Sequence, residues 1–146
     1  MIPAAARVLG FGGLIPFAVA GLSQWVELPI LSSDAGLHMG TVYGAVILSF
    51  LGGIRWGAAI TAKDNSNDAR DLSGSVVAPL AGWLSLLLAP VAGLCLLIAG
   101  FLLQALWDLV SAEKSQLPQW FGKLRMLLTA GAVICLCAML VRQTIS

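Results

Sequence analysis

The chain has 146 residues, of which 59% are hydrophobic and only 10% are charged, and its formal net charge is +1. Soluble globular domains carry about 25% charged residues, so this composition excludes a soluble globular protein, and the small net charge gives no support for binding nucleic acid. A helix that spans a bilayer needs about 20 mostly apolar residues, so the chain has room for four or five spans and none for an extramembrane catalytic domain.

The apolar runs predict an all-α integral membrane protein, a bundle of five transmembrane helices that forms a single domain over residues 1–146. The first predicted span covers about 5–26. Pro16 within it should kink the helix, because proline lacks a backbone donor. A polar segment at 27–36 predicts a loop, and the second span follows at about 37–61.

The longest apolar run lies in the second half of the chain. The preceding segment, 62–74, holds five charges and is predicted to be an aqueous loop. Residues 75–110 would extend roughly 54 Å as one helix, which is too long for a single crossing. Pro90 offers a break, so we predict a third span at 75–89 and a fourth at 91–110. The third span is short, and a four-span alternative with a re-entrant segment stays open.

The fifth predicted span covers about 121–141, after a polar loop at 111–120. With five spans, Arg142 lies on one side of the membrane and the other seven basic residues lie on the opposite side: Arg7, Arg55, Lys63, Arg70, Lys114, Lys123 and Arg125. Because basic residues favour the cytoplasmic side, we expect a cytoplasmic N-terminus and an external C-terminus.

Small residues recur along the second span. Four of them are spaced four residues apart and two form a further pair, giving the set Gly40, Gly44, Ala45, Ser49, Gly53 and Gly57. Helices in lipid associate through close backbone approach, which small side chains permit. We therefore predict a helix-packing face, either inside the protein's own bundle, which is the favoured alternative, or against a different subunit.

Three polar residues inside the predicted spans are candidates for a functional role. Arg55 is the most deeply placed charge, Asp108 lies at a comparable depth in the fourth span, and Gln104 lies one turn deeper. The favoured interpretation is an arginine that extends to the headgroups, followed by an ion pair with Asp108. A role in transport is the third alternative, although the outer halves of the spans supply no titratable relay.

The sequence predicts no catalytic, cofactor-binding or metal site. It contains one histidine, and its three cysteines lie in apolar runs. Sequence motifs of hydrolases, metalloproteases and nucleotide-binding proteins are absent from it. We therefore expect a protein that is not an enzyme and binds no cofactor of its own, apart from a lipid or a pigment shared with a partner complex.

Two segments, LGFGGLIPF at 9–17 and YGAVILSFLGGIRWG at 43–57, resemble a domain-of-unknown-function family of small polytopic proteins, which includes the mitochondrial transmembrane protein 69. The resemblance implies about five spans, no assigned activity, and a location in the bacterial inner membrane or the mitochondrial membrane descended from it.

Two functions compete on this evidence. The favoured one is an accessory or assembly subunit that packs against a larger membrane complex, and an energy-transducing complex, respiratory or photosynthetic, fits an inner-membrane location. Its partners would be membrane lipids and other integral membrane subunits. The alternative is a transporter or channel for a small solute or an ion, which needs a polar pathway across the bilayer.

Overall fold

The structure is a computed structural model that describes residues 1–61, 68–113 and 118–146, without the side chains of 68 and 111–113. The parts of the predicted loops at 62–67 and 114–117 lie outside the described residues. The described chain forms six helices: α1 (Ala4–Gly12), α2 (Ile15–Ser23), α3 (Ser33–Thr61), α4 (Asp68–Ser85), α5 (Pro90–Glu113) and α6 (Gln119–Ile145).

The first predicted span is divided into α1 and α2, and the break lies at Gly13 and Leu14, just before Pro16. Pro16 therefore belongs to the first turn of α2, where its missing N–H removes no intrahelical bond. The Tyr43 hydroxyl donates to the carbonyl of Gly13 at 2.9 Å. A side chain from α3 thus satisfies a backbone acceptor at the break, as the hydrocarbon region requires.

The remaining helices form two antiparallel pairs, α3 with α4 and α5 with α6, and α2 packs between α3 and α6. Several boundaries differ from the prediction. The predicted spans 91–110 and 121–141 are longer in the structure, as α5 continues to Glu113 and α6 covers Gln119–Ile145. Residues 33–36 and 68–74 are helical instead of forming loops, because α3 begins at Ser33 and α4 begins at Asp68. Asp71 lies near the start of α4, where a negative charge is favourable because that end of the helix dipole is positive.

The all-α membrane fold is confirmed. Four helical segments are long and apolar enough to cross a membrane: Ala4–Ser23, Ser33–Thr61, Pro90–Val110 and Gln119–Ile145. The predicted third span corresponds to α4, which ends at Ser85 instead of 89, carries charges in its first turns and is not among these four segments, so five full spans stay a prediction. It still runs along α3, because Pro79 lies opposite Gly52 and Gly82 lies opposite Ala45.

The middle of the bundle is apolar and tightly packed. Phe17 of α2 lies at its centre, with its ring edge-on to Tyr43 and to Phe101 at centroid distances of 5.0 and 5.8 Å. The large side chains that are almost fully enclosed around it are Leu48, Leu94, Leu97, Leu136 and Met139. This apolar layer separates two groups of polar residues, one towards each end of the bundle.

Candidate functional site

The first polar group, here the charged cluster, consists of Arg55, Gln104, Asp108 and Arg125. Asp108 of α5 is its centre and is only 1% exposed. Arg125 donates from Nε to Asp108 Oδ2 at 3.1 Å, and Gln104 donates from Nε2 to Oδ1 at 3.2 Å. The carboxylate therefore joins α5 to α6 by a buried, charge-assisted hydrogen bond.

Arg55 of α3 completes the cluster by a weaker contact. Its Nε lies 4.0 Å from Asp108 Oδ1, too far for a hydrogen bond, and its guanidinium lies 4.4 Å from the centroid of the Trp107 ring. The residue is 3% exposed, so its side chain is enclosed by the bundle. The structure thus brings together the three polar residues that the sequence singled out.

Sequence reasoning missed Arg125, which was counted only among the basic residues near the membrane surface. It is 6% exposed and makes the shortest ion pair in the described part of the chain. The sequence did contain an indication of its role, because Arg125 lies inside the predicted span 121–141. It also lies one turn before Thr129, a further buried polar residue. An arginine inside an apolar span requires a partner, and Asp108 was available.

Some hydrogen-bond donors of the charged cluster, and the hydroxyl of the neighbouring Thr129, lack a partner in the described part of the chain. Three buried polar atoms have no hydrogen-bond partner among the described residues: Arg55 Nε, Arg125 Nη2 and Thr129 Oγ1. Two guanidinium groups also share one carboxylate. Unpaired donors are costly in a low-dielectric interior, so these atoms mark the place where a further acceptor would be stabilising.

A groove of about 460 Å³ lies beside the charged cluster, between α1–α2 on one side and α3 and α6 on the other. Its walls are almost entirely apolar, from Leu9 and Phe17 to Ile54 and Leu128. The two polar side chains in its lining are Tyr43, whose hydroxyl is bonded to Gly13, and Arg125. Arg125 therefore belongs both to the cluster and to the groove.

The second polar group, here the amide cluster, lies at the opposite end of the bundle and is made of Ser23, Gln24, Ser33 and Gln143. Gln24 donates from Nε2 to the Ser33 carbonyl at 2.8 Å, while its Oε1 accepts from Ser33 Oγ and Gln143 Nε2. Arg142 donates to the Gln24 carbonyl at 3.1 Å. These contacts fasten the α2–α3 connection to the end of α6.

The predicted packing face on α3 is only partly internal. Gly40 lies against Ala20 and Met139, Gly44 lies against Leu97 and Phe17, and Ala45 is buried against α4, while Ser49 donates to the Ala45 carbonyl at 2.8 Å. The favoured prediction of internal packing is wrong for Gly53 and Gly57, because a Cβ atom at either would meet no described atom within 4 Å.

Helix geometry explains this correction. Residues four apart on an α-helix are rotated by roughly 40°, so a row at that spacing turns by about 120° between Ala45 and Gly57 and leaves the buried side. The internal contact at this level is made by Gly52, where a Cβ atom would lie 2.6 Å from Pro79 Cδ and from the Ser75 carbonyl.

Within the ranges that the structure describes, no three His, Cys, Asp or Glu side chains are grouped in a way that could hold a metal ion. His38 is exposed, and the three cysteines, Cys95, Cys135 and Cys137, are free thiols.

Comparison with known proteins gives two matches. A family model described as "Protein of unknown function (DUF3429)" matches residues 2–141. Transmembrane protein 69 of Xenopus tropicalis is 36% identical over 98% of this chain. The chain spans 56% of the length of that relative. No solved structure matches the chain.

Proposed function

We propose that this chain, which belongs to the DUF3429 family of proteins of unknown function, is a non-catalytic accessory or assembly subunit that packs against a larger membrane complex. It is an integral membrane protein related to transmembrane protein 69. We propose further that its partner is another integral membrane protein, and that energy-transducing complexes are the first candidates for this partner. The chain would bind no cofactor of its own.

The observation that supports the proposal is the open face of α3, defined by Val46, Gly53, Trp56, Gly57 and Ile60. The three large side chains of this face are 58%, 45% and 64% exposed, while the two glycines leave a gap one turn long between them. An apolar face with a gap at its centre is the shape that receives the ridge of another helix.

In the ranges that the structure describes, Gly53 and Gly57 make no contact that would explain why a glycine occupies either position. Glycine within a helix is about 1 kcal/mol less favourable than alanine, and at Gly53 and Gly57 no close contact within the described chain offsets this cost. A helix of another protein that approached closely at this point would offset it. The gap therefore supports lateral association rather than simple exposure to lipid.

The distribution of polar groups supports a subunit over a transporter. The charged cluster and the amide cluster lie towards opposite ends of the bundle, and the layer around Phe17, Leu48 and Leu97 lies between them. A transport pathway needs polar groups across this layer. The groove of about 460 Å³ in the described part of the chain is apolar and lies on the side of the bundle, not along a path through this layer.

We further propose that the chain lies in a bacterial inner membrane with its N-terminus in the cytoplasm. The basic residues Arg7, Arg70 and Lys123 lie on helices near the end of the bundle that holds the charged cluster, and Arg142 lies at the other end. The predominance of basic residues at one end supports a cytoplasmic position for it.

Two adjacent glycines, Gly52 and Gly53, allow the same substitution to be compared on the inner and the outer side of α3. Gly53→Leu adds volume to the open face, while Gly52→Leu adds the same volume against Pro79 and Ser75. Ala130→Leu, at an exposed position of α6, controls for a larger lipid-facing side chain. Each full-length variant is extracted from membranes with a mild detergent, and its assembly is followed by native gel electrophoresis and mass spectrometry.

We expect the wild type and Ala130→Leu to migrate with a partner, Gly53→Leu to migrate alone in a folded state, and Gly52→Leu to accumulate poorly. A wild-type chain that always migrates alone would contradict the proposal. An assembly that tolerates Gly53→Leu would exclude the open face as the contact.

A further inference from the structure

We propose that the groove beside α6 is a binding site for one anionic phospholipid, with an acyl chain in the groove and the phosphate next to Arg125. Arg125 lines the groove and also belongs to the charged cluster, so the two adjoin at this residue. The inference concerns a ligand of this chain itself and does not depend on the partner subunit proposed above.

The groove has the dimensions of an acyl-chain site. Its volume of about 460 Å³ falls within the range of roughly 300–1,000 Å³ that is usual for small-molecule sites. Along α6 its lining extends from Trp120 to Ala132, roughly 18 Å, which is close to half of the ~30 Å hydrocarbon thickness. One chain of a single leaflet can therefore lie along it, in contact with Leu9, Phe50 and Leu128.

Arg125 supplies the contact for a headgroup. Its Nε is bonded to Asp108, but its Nη2 is buried without a partner among the described residues, although the residue is only 6% exposed. Arginine binds phosphate oxygens strongly through charge-assisted hydrogen bonds. A phosphate oxygen would give Nη2 the acceptor that it lacks.

The charge of the site favours an anionic lipid over a zwitterionic one. Asp108 is shared by Arg55 and Arg125, so these three buried groups carry one net positive charge, and Asp71, a further carboxylate near the cluster, acts on Arg55 and not on Arg125. Two exposed basic residues, Arg7 and Lys123, lie next in sequence to Ala6 and Leu124 of the groove lining. Basic pockets between transmembrane helices are typical sites for anionic headgroups.

The position of Arg125 along α6 also fits a lipid headgroup. It lies six residues after Gln119, the first residue of the helix, and helical side chains lean towards the helix N-terminus. We therefore infer that its guanidinium is directed towards the membrane surface at the N-terminal end of α6. Trp120, one turn nearer to that surface, lines the same end of the groove.

The test uses the full-length protein in a non-ionic detergent and measures retained lipid by native mass spectrometry. The probes are dioleoylphosphatidylglycerol, which is anionic, dioleoylphosphatidylcholine, which has the same chains and a zwitterionic headgroup, and sodium oleate. Ala6→Phe adds a ring to the groove wall and changes no residue of the charged cluster. Ala5→Phe places the same ring on the exposed, neighbouring position and is its matched control.

We expect one molecule of phosphatidylglycerol to bind with an apparent affinity about tenfold higher than that of phosphatidylcholine. Ala6→Phe should weaken this binding by about tenfold, and Ala5→Phe should leave it unchanged. Arg125→Gln should remove the preference for the anionic lipid, and Arg125→Lys should retain part of it.

Three results would overturn the proposal. Equal retention of the two phospholipids by the wild type would show that no anionic headgroup is recognised. Unchanged binding in Ala6→Phe would place the lipid elsewhere. Tighter binding of oleate than of phosphatidylglycerol would assign the groove to a fatty acid. If Arg125→Gln does not fold, the comparison of Ala6→Phe with Ala5→Phe still tests whether the lipid binds in the groove.

Discussion

The charged cluster and the amide cluster both connect helices, at opposite ends of one bundle, but the first does so with charged side chains and the second mainly with amides. Both join α6 to helices that are distant in sequence: Asp108 binds Arg125 across 17 positions, and Gln24 binds Gln143 across 119. The amide cluster uses neutral side chains and backbone carbonyls, and its central residue, Gln24, uses both ends of its amide group.

The charged cluster leaves more groups unsatisfied, since a single carboxylate serves two guanidinium groups, and Arg55 Nε and Arg125 Nη2 have no hydrogen-bond partner among the described residues. Neutral amides would hold helices together at a smaller desolvation cost. The comparison therefore indicates that the amide cluster stabilises the fold, whereas the charged cluster could also bind a further hydrogen-bond acceptor. Four predictions test this distinction, in order of decreasing effect.

Removing the shared carboxylate should produce the largest loss. Asp108→Asn leaves Arg125 buried without its counter-charge and leaves Arg55 with Asp71 alone among the described acidic residues, and we expect the free energy of unfolding to fall by about 3–5 kcal/mol. The measurement is reversible unfolding of the full chain by SDS in mixed micelles. A loss below about 1 kcal/mol would mean that water reaches the cluster and that it is not a buried charge site.

The two arginines should couple unequally to Asp108. Double-mutant cycles that combine Asp108→Asn with Arg125→Gln or with Arg55→Gln should give about 1.5–3 kcal/mol for Arg125 and less than about 1 kcal/mol for Arg55. The reason is geometric, because Arg125 makes a hydrogen bond at 3.1 Å and Arg55 lies 4.0 Å away against Trp107. Equal couplings would contradict this arrangement.

At the other end, Gln24→Leu should lower the free energy of unfolding by about 1–3 kcal/mol, because it removes the partner of both Ser33 and Gln143. The same SDS titration measures it. Gln143→Leu is the matched control, and its effect should be smaller, since it breaks one bond of 3.3 Å. If Gln24→Leu proved more harmful than Asp108→Asn, the ranking of the two clusters would be reversed.

Salt should have the smallest effect. Raising the salt concentration from about 0.05 M to about 0.5 M screens exposed charges but not enclosed ones, so we expect the unfolding free energy to change by less than about 0.5 kcal/mol. Asp108 and Arg55 are 1% and 3% exposed, which is the basis of this expectation. A decrease several times larger would show that ions and water enter the cluster.

Much of this architecture was predictable from local sequence. Apolar length alone located α3, α5 and α6 within a few residues, because each long helix must cover the hydrocarbon thickness with apolar side chains. The start of α4 was not predictable in this way. Residues 68–74 are polar, and polarity signals contact with water but does not distinguish a loop from the first turns of a helix.

The same limit applies to the charged cluster and the packing face. Composition singled out Arg55, Gln104 and Asp108, because any polar side chain in an apolar span is conspicuous. Arg125 was equally visible inside its span, but its role depends on which helix lies opposite, and spacing along one helix carries no information on that. The distinction between Gly52 and Gly53 was hidden for the same reason, since small residues recur on both sides of α3.

The sequence by itself thus determined that this is a helical membrane protein, where its long spans lie, and which of its residues are costly in lipid, since hydrocarbon imposes length and polarity on each helix separately. Only the tertiary structure decided which glycines face inwards, that two arginines share one aspartate, and that a groove opens beside one of them. These features arise from the rotation and pairing of whole helices, which depend on contacts between residues that are distant in sequence.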